Sequence, residues 1–182
     1  HLNLTLADED SSKNLYAKDE NLTYNGENQD LSSADWYKKL EKFVTVKYFN
    51  GATEIKPSPI DAGSYTAELT IKSEFADMCS WKDTTELTKT INVTINKKTL
   101  GADFNTTVSP PTVKAIEADL ADKDKSLAES ILQIQYTDGD GNTSLDTPSK
   151  VGTYTAKVVL NTSVTESKNY KLDREYTDTV FI

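Results

Sequence analysis

This chain of 182 residues has little of the side-chain chemistry on which most enzymes and metalloproteins depend. It contains one cysteine, Cys79, and one histidine, His1. A single cysteine excludes an internal disulfide and a cysteine-based zinc site. A single histidine at one end excludes a Ser/His/Asp or Cys/His arrangement and a histidine-based metal site. We therefore expect no enzyme activity and no cofactor, and we interpret Cys79 as an ordinary thiol.

Basic residues and long apolar runs are also scarce. Twenty lysine and arginine residues stand against 29 acidic ones, which gives a formal net charge of −9. Because no basic cluster interrupts this acidity, nucleic acid and anionic lipid are not expected partners. No apolar run reaches the length of about 18 residues that crosses a bilayer. We expect no membrane insertion of this segment, and we expect any secretion signal to lie outside it.

Glycine, proline and methionine are few, at seven, five and one residues, whereas nine tyrosines and many threonines are present. Aromatic and β-branched residues favour strands over helices. The composition therefore predicts a mostly β protein.

The chain contains a pattern that occurs twice. Gly63-Ser64-Tyr65-Thr66-Ala67 returns 89 positions later as Gly152-Thr153-Tyr154-Thr155-Ala156. In both copies apolar and polar residues alternate, the period of a strand with one buried face. An earlier strand starts at Val44 in one copy and at Leu132 in the other, now 88 positions apart, so one residue is inserted between the two strands. Such self-similarity indicates tandem modules.

The repeat sets the expected domain boundaries. Residues 1–97 form the first module and residues 98–182 the second, with 97–101 as a short junction. Residues 1–7 include Asn3-Leu4-Thr5-Leu6, which matches Asn92-Val93-Thr94-Ile95, so they are interpreted as the closing strand of a preceding repeat.

Each module also carries one helical pattern, ahead of its first clear strand. Ser32 or Ser33 can cap a helix with Trp36, Leu40 and Phe43 on one face. Similar spacing in the second copy involves four residues: Leu120, Asp124, Leu127 and Ile131. We expect each helix to lie on the sheet of its module.

The two copies resemble the tandem surface repeats of bacteria, the Ig-like and mostly-beta, glycine-rich modules of large adhesins and wall-anchored proteins. In the first copy the resemblance rests on Val-Lys-Tyr-Phe-Asn-Gly (46–51), Asp-Ala-Gly-Ser-Tyr-Thr-Ala (61–67) and residues 91–100. In the second copy it rests on Tyr136, Gly139, Pro148, residues 151–155 and residues 179–182. The family implies secretion, display on the cell surface and no catalysis.

With this resemblance, we expect two tandem Ig-like β-sandwich modules, each with a short helical segment. A β-grasp fold, in which one helix crosses a four-stranded sheet, is the alternative that the order of elements permits. The expected function is that of a noncatalytic stalk or adhesion segment of a secreted or surface-anchored bacterial protein. The alternative is a module that binds carbohydrate or another extracellular protein. We expect a monomer.

The repeated glycine and tyrosine have a physical interpretation of their own. Gly63 and Gly152 stand where a loop enters a strand, where glycine permits positive φ or a close backbone approach. Tyr65 and Tyr154 lie on the inward parity, so we expect each ring to pack against the helix while its hydroxyl reaches the rim.

One segment begins like a calcium loop. Asp138, Asp140 and Asn142 offer oxygen ligands at alternate positions. The pattern then departs from that loop, because Thr143 replaces the expected glycine and Ser149 the expected glutamate. We favour a hairpin turn, since Asp-Gly and Gly-Asn are turn dipeptides, and retain calcium as the alternative.

Three aromatic residues are candidates for a sugar-stacking surface: Trp36, Tyr37 and Trp81. Core packing is the stronger interpretation for the tryptophans, because Trp36 lies on the apolar helix face and Trp81 aligns with Tyr170. Tyr37 lies off that face and is expected to be the exposed ring.

Six Asn-X-Ser/Thr triplets occur, and in a chain rich in asparagine and threonine we interpret them as a result of composition. They begin at Asn3, Asn21, Asn92, Asn105, Asn142 and Asn161. Asn92 would also be the residue of a Lys–Asn crosslink, but its parity points outward and we do not expect that bond.

Overall fold

The computed structural model describes residues 14–182. It is mostly β, with several sheets and a sandwich-like arrangement, as predicted. His1 and the predicted closing strand at 1–7 lie outside the described residues. The chain divides into two compact units. The first holds the described residues up to Leu22 together with Glu27–Ile95, and the second holds Thr23–Gly26 and Asn96–Ile182.

The first unit is built on a five-stranded sheet and a short parallel pair of strands. Its strands are β1 (Asn14–Leu15), β2 (Glu20–Thr23), β3 (Val44–Asn50), β4 (Thr53–Ile55), β5 (Gly63–Ile71), β6 (Ser80–Trp81) and β7 (Thr88–Asn96). The sheet order is β2-β7-β5-β3-β4, and β1 pairs in parallel with β6. The last residues of β2 and β7 are counted with the second unit.

Alternating residues of this sheet form one core. Tyr48 lies opposite Ala67, which lies opposite Ile91, and all three are buried. Leu15 of β1 and Trp81 of β6 belong to the same cluster. The alternation read from the sequence therefore gives the inward face correctly, because successive side chains of a strand point to opposite faces.

The helical segment predicted before β3 is present and short, but it does not keep the i, i+4, i+7 spacing of an α-helix over residues 36–43. The segment instead contains a 3-10 turn at Leu31–Ser33 and a single four-residue helix, α1 (Asp35–Lys38). Backbone N–H groups donate to the carbonyl three residues earlier from Ala34 to Leu31, Tyr37 to Ala34, Leu40 to Tyr37 and Phe43 to Leu40. These apolar residues recur every three positions, the period of a 3-10 helix.

The second unit is built on a four-stranded sheet, a two-stranded hairpin and a short parallel pair of strands. Its strands are β8 (Lys98–Leu100), β9 (Ala102–Asn105), β10 (Thr112–Ala115), β11 (Leu132–Thr137), β12 (Thr143–Ser144), β13 (Thr153–Leu160), β14 (Tyr170–Leu172) and β15 (Thr177–Phe181). The main sheet has the order β12-β11-β13-β15. The predicted junction at 97–101 contains β8, which pairs in parallel with β14.

A hairpin packs on the main sheet of the second unit and makes the second layer. β9 and β10 are antiparallel, with Phe104 opposite Val113. Both side chains pack against a buried cluster formed by Ile134, Tyr136, Ala156 and Val180. The short helical segment predicted here consists of 3-10 turns at Glu117–Asp119 and Asp122–Leu127.

The register of the central strands agrees with the inserted residue inferred from the sequence. Val44 pairs with Ile71 in the first unit, and Leu132 pairs with Leu160 in the second. Val44 and Leu132 are 88 positions apart in the sequence, whereas Ile71 and Leu160 are 89 positions apart.

The last strand of the second unit does not follow the offset of 89 positions found between the earlier strands. Tyr65 pairs with Val93, but Tyr154 pairs with Val180 rather than with Ile182. The connection before β15 is therefore two residues shorter than the one before β7. Lys89 and Asp178, which are also 89 positions apart, lie opposite Leu69 and Ala156 and therefore do not occupy equivalent positions.

Within residues 14–182, no helix is long and apolar enough to cross a membrane.

Candidate functional site

The repeated glycine and tyrosine form a local corner in the first unit. The Tyr65 hydroxyl donates to the carbonyl of Asp61 at 2.8 Å, so the ring folds back over the strand entry. A Cβ on Gly63 would lie 3.3 Å from the hydroxyl oxygen of Tyr65. The close approach of the ring therefore favours glycine at this position, whereas positive φ plays no part because Gly63 does not adopt it.

The second unit repeats this corner with looser contacts. Tyr154 donates to the carbonyl of Lys150 at 3.1 Å, and a Cβ on Gly152 would lie 3.6 Å from the ring. Both tyrosine rings are half-buried and pack against the cores of their units. The rings therefore take part in packing, and each hydroxyl closes a turn at the rim as expected.

The loop that resembles a calcium site is a closed hairpin turn. The Asp138 Oδ1 atom accepts the N–H groups of Asp140 at 3.0 Å and Asn142 at 2.9 Å, and its Oδ2 accepts the Asn142 side-chain amide at 3.0 Å. Gly141 takes the left-handed conformation with φ +86°. The hydrogen bond from the Asn142 side chain is the largest cause that holds the pKa of Asp138 below its usual value.

These hydrogen bonds account for an aspartate at position 138 without a metal, because its carboxylate already accepts the N–H donors of its own turn. Among the described residues, no group of three or more His, Cys, Asp or Glu side chains is placed to hold a metal ion.

The three aromatic candidates have different environments. Trp36 and Tyr37 are both half-buried and meet edge to face, with ring centroids 6.0 Å apart. The Trp36 indole donates to a carboxylate oxygen of Glu20 at 2.7 Å. The expectation that Tyr37 is solvent-exposed is wrong, since its ring packs against the core at the three-residue period described above.

Trp81 has no ring face available for a sugar. It is 3% exposed, and its indole donates to the carbonyl of Leu87 at 3.0 Å. Tyr170, with which it was aligned, is also fully buried, so core packing is the correct interpretation for both. Cys79 is buried as well, and burial raises the pKa of its thiol.

Asn92 points outward, as its parity predicted. It is exposed, its backbone N–H donates to one carboxylate oxygen of Asp19 at 2.8 Å, and its side-chain amide donates to the other at 3.2 Å.

The sequence analysis missed a buried carboxylate in the second unit. Asp124 is 2% exposed, and its Oδ2 accepts the hydroxyl of Tyr24 at 2.8 Å and that of Tyr170 at 2.7 Å. The two rings meet edge to face at 5.5 Å. Burial is the main cause that raises the pKa of both tyrosines well above the usual value. Residues 23–26 belong to the second unit through these contacts.

A signal for this cluster was present in the sequence. Asp124 interrupts a row of apolar residues that was interpreted as a helix face, and a charged residue in such a row needs a buried partner. Spacing alone could not identify Tyr24 as that partner, because it lies 100 positions away.

Two clefts lie on the hairpin side of the second unit. One, of about 430 Å³, is lined by Phe104, Thr106, Asp178 and the segment 174–177. Arg174 lies with its guanidinium 4.6 Å from the ring centre of Tyr176. The other, of about 600 Å³, is lined by β9 and β10 residues and Glu129. Both combine aromatic and charged groups at the surface.

Comparison of the chain with models of known families and with curated proteins found no match.

Proposed function

We propose that this chain is a noncatalytic stalk or adhesion segment of a secreted or surface-anchored bacterial protein. The observation that carries the proposal is the role of the residues that recur in both halves. Tyr65 and Tyr154 close equivalent turns, and Ala67 and Ala156 are fully buried at the centre of equivalent strands. Recurring residues that serve packing are what a structural repeat requires.

The acidic surface and the resemblance to bacterial surface repeats support export and display. A net charge of −9 favours a dissolved, unaggregated chain in contact with solvent. The Asp138 carboxylate closes its own turn, and Trp36 and Tyr37 pack against each other, so both groups have a structural role. A monomeric spacer is the simplest role for such a chain.

A binding module for carbohydrate or for an extracellular protein is the second candidate. The cleft of about 430 Å³ favours it, because an aromatic ring, an arginine and carboxylates line one concave surface. Phe104, Arg174 and Asp178 would then contact the ligand.

Two measurements separate these functions. Antibodies raised against the chain should label intact cells of the source bacterium if the chain is displayed. A glycan and matrix-protein array with the purified chain should give no specific binding if the chain is a spacer. Binding that Arg174→Ala abolishes, while a change of an exposed lysine of the first unit, Lys47→Ala, leaves it intact, would support the binding module instead. Absence of surface label would contradict both.

A further inference from the structure

Six Asn-X-Ser/Thr triplets occur, and five of them fall in the described residues. Transfer of a sugar to such an asparagine uses its Nδ2 as the nucleophile and the hydroxyl two residues later as its partner. A folded chain can therefore accept a glycan most readily where Nδ2 is exposed and free of other hydrogen bonds, and where the amide oxygen accepts the hydroxyl of the same triplet. Asn3 lies outside the described residues.

Two of the five triplets are held in the sheet of the first unit. Asn21 lies inside β2, and among the described residues its amide oxygen accepts no hydrogen bond from the hydroxyl of Thr23. Asn92 lies in the middle of β7, and its Nδ2 donates to Asp19 at 3.2 Å. In neither of these two described triplets does the asparagine's amide oxygen accept the hydroxyl two residues later.

Two more triplets have the amide nitrogen engaged. The Nδ2 of Asn142 donates to Asp138 at 3.0 Å and belongs to the hairpin turn. The Nδ2 of Asn161 donates to the carbonyl of Ser130 at 2.9 Å. Each nitrogen would have to give up a local hydrogen bond before it could react.

Asn105 differs from these four. It is exposed and is the last residue of β9, paired with Thr112, just before the exposed loop 107–110. Its Oδ1 accepts the N–H of Thr107 at 2.9 Å and the hydroxyl of Thr107 at 2.7 Å. Its Nδ2 makes no hydrogen bond to the part of the chain that the structure describes. A hydroxyl that donates to the amide oxygen draws electrons from the amide and makes a proton on Nδ2 easier to remove.

We propose that Asn105 is the acceptor for N-linked glycosylation of the folded chain, and its biological use depends on the export proposed above. The donor class is a polyprenyl-pyrophosphate-linked oligosaccharide. Nδ2 forms a bond to the anomeric carbon, the bond from that carbon to the pyrophosphate oxygen breaks, and the lipid pyrophosphate leaves with the electron pair. Nδ2 loses one proton to a base of the transferase.

The test is an in vitro reaction that does not depend on where the chain resides in a cell. The purified full chain is incubated with a bacterial oligosaccharyltransferase and its lipid-linked donor, and the product is read by intact mass and peptide mapping. Peptides that span each of the five triplets are treated in parallel. Asn105→Gln, Thr107→Val and the matched control Asn161→Gln are compared, with the thermal melt of each variant as the check of folding.

We expect a single glycan on Asn105 of the folded chain, although the enzyme modifies several of the free peptides. Asn105→Gln and Thr107→Val should abolish the mass increase, and Asn161→Gln should leave it unchanged. An unmodified folded chain, whether or not the 101–111 peptide reacts, would overturn the proposal. Equal occupancy at another asparagine would also overturn it, because the folded geometry would then select nothing.

Discussion

The two glycine–tyrosine corners are the best defined residue-scale feature of this chain, because the same contact occurs twice with different tightness. Gly63 and Gly152 both lie under the tyrosine two residues ahead, yet only the first has a contact closer than ordinary van der Waals distance. The difference makes the two positions a matched pair for substitution.

We predict that Gly63→Ala destabilises the chain and that Gly152→Ala does not. At position 63 the new methyl must displace the Tyr65 hydroxyl, which is fixed by its bond to Asp61. At position 152 the methyl fits and reduces the entropy of the unfolded chain, a gain of about 0.4–1 kcal/mol at a compatible site. Urea unfolding followed by circular dichroism measures both. Equal destabilisation by the two variants would contradict the assigned contacts.

The buried carboxylate gives a second residue-scale prediction. Tyr24→Phe removes one of the two hydroxyls that Asp124 accepts, and loss of a hydrogen bond to a charged group costs about 1.5–3 kcal/mol. Tyr154→Phe removes an exposed hydrogen bond and should cost well under about 1 kcal/mol.

Urea unfolding of both variants distinguishes these values. A Tyr24→Phe chain as stable as the Tyr154→Phe chain would show that Asp124 does not depend on Tyr24. Asp124→Asn keeps the size of the side chain and, like Tyr24→Phe, should lower the free energy of unfolding.

At the scale of elements, the hairpin between β11 and β12 is closed by its own side chains. Asp138 accepts donors from Asp140 and Asn142, and the equivalent turn between β3 and β4 has Gly51 at φ +59°. Both hairpins reverse the chain with a glycine in the left-handed region, as turn dipeptides predict.

We predict that millimolar calcium leaves the melting temperature unchanged. A ligand stabilises a protein only when its concentration exceeds its dissociation constant for the folded state, and the Asp138 carboxylate is already occupied by its turn. Differential scanning calorimetry with calcium and with magnesium as the control measures this. A rise specific to calcium that Asp140→Ala abolishes would restore the metal interpretation.

The same turn should loosen in acid. The pKa of Asp138 is lowered in the folded chain, so the stability that its carboxylate contributes is complete above the unfolded value of about 3.9. That contribution is lost as the pH falls through the lower folded pKa. The carboxyl NMR shift of Asp138 and the amide shifts of Asn142 should report one titration below about pH 3.9. A carboxyl midpoint at or above that value would contradict the assigned hydrogen bonds.

On the scale of the whole molecule, the division into units is not a simple cut of the chain. Residues 23–26 belong to the second unit although the segments on both sides of them belong to the first. The predicted modules, 1–97 and 98–182, separate Tyr24 from its partners Asp124 and Tyr170.

We predict that a fragment of residues 96–182 folds as a β unit but unfolds at lower urea than the same unit in the full chain. The fragment lacks Tyr24 and leaves space beside Tyr170, so it loses a hydrogen bond and an aromatic contact. Circular dichroism and NMR line widths of the fragment test the fold. The Tyr24→Phe full chain is the control, because it should lie between the two. If the fragment is as stable as the second unit in the full chain, residues 23–26 do not stabilise that unit.

Much of the fold follows from short-range patterns in the sequence. Alternation at Tyr65 to Ile71 and at Tyr154 to Leu160 predicts strands with a defined inward face, because a strand's side chains have a period of two. The offset change from 88 to 89 positions predicts the register of the central hairpins, since an insertion in a loop leaves the paired strands intact. Composition predicts the mostly β class, because aromatic and β-branched residues favour strands wherever they occur in the chain.

The rest was decided by contacts between distant parts of the chain. The spacing of apolar residues in 31–43 also fits an α-helix, but packing against Tyr48 and its neighbours gives tight three-residue turns that leave Tyr37 half-buried. The shift of β15 by two residues depends on which apolar residue pairs with Tyr154 and enters the core. That residue is Val180 and not Ile182. Tyr24 joined Asp124 across 100 positions because a buried carboxylate requires hydroxyl or amide donors, wherever in the chain they lie. The sequence by itself therefore determined the class, the strands and their inward faces, whereas tertiary structure alone decided the partners of its buried polar groups.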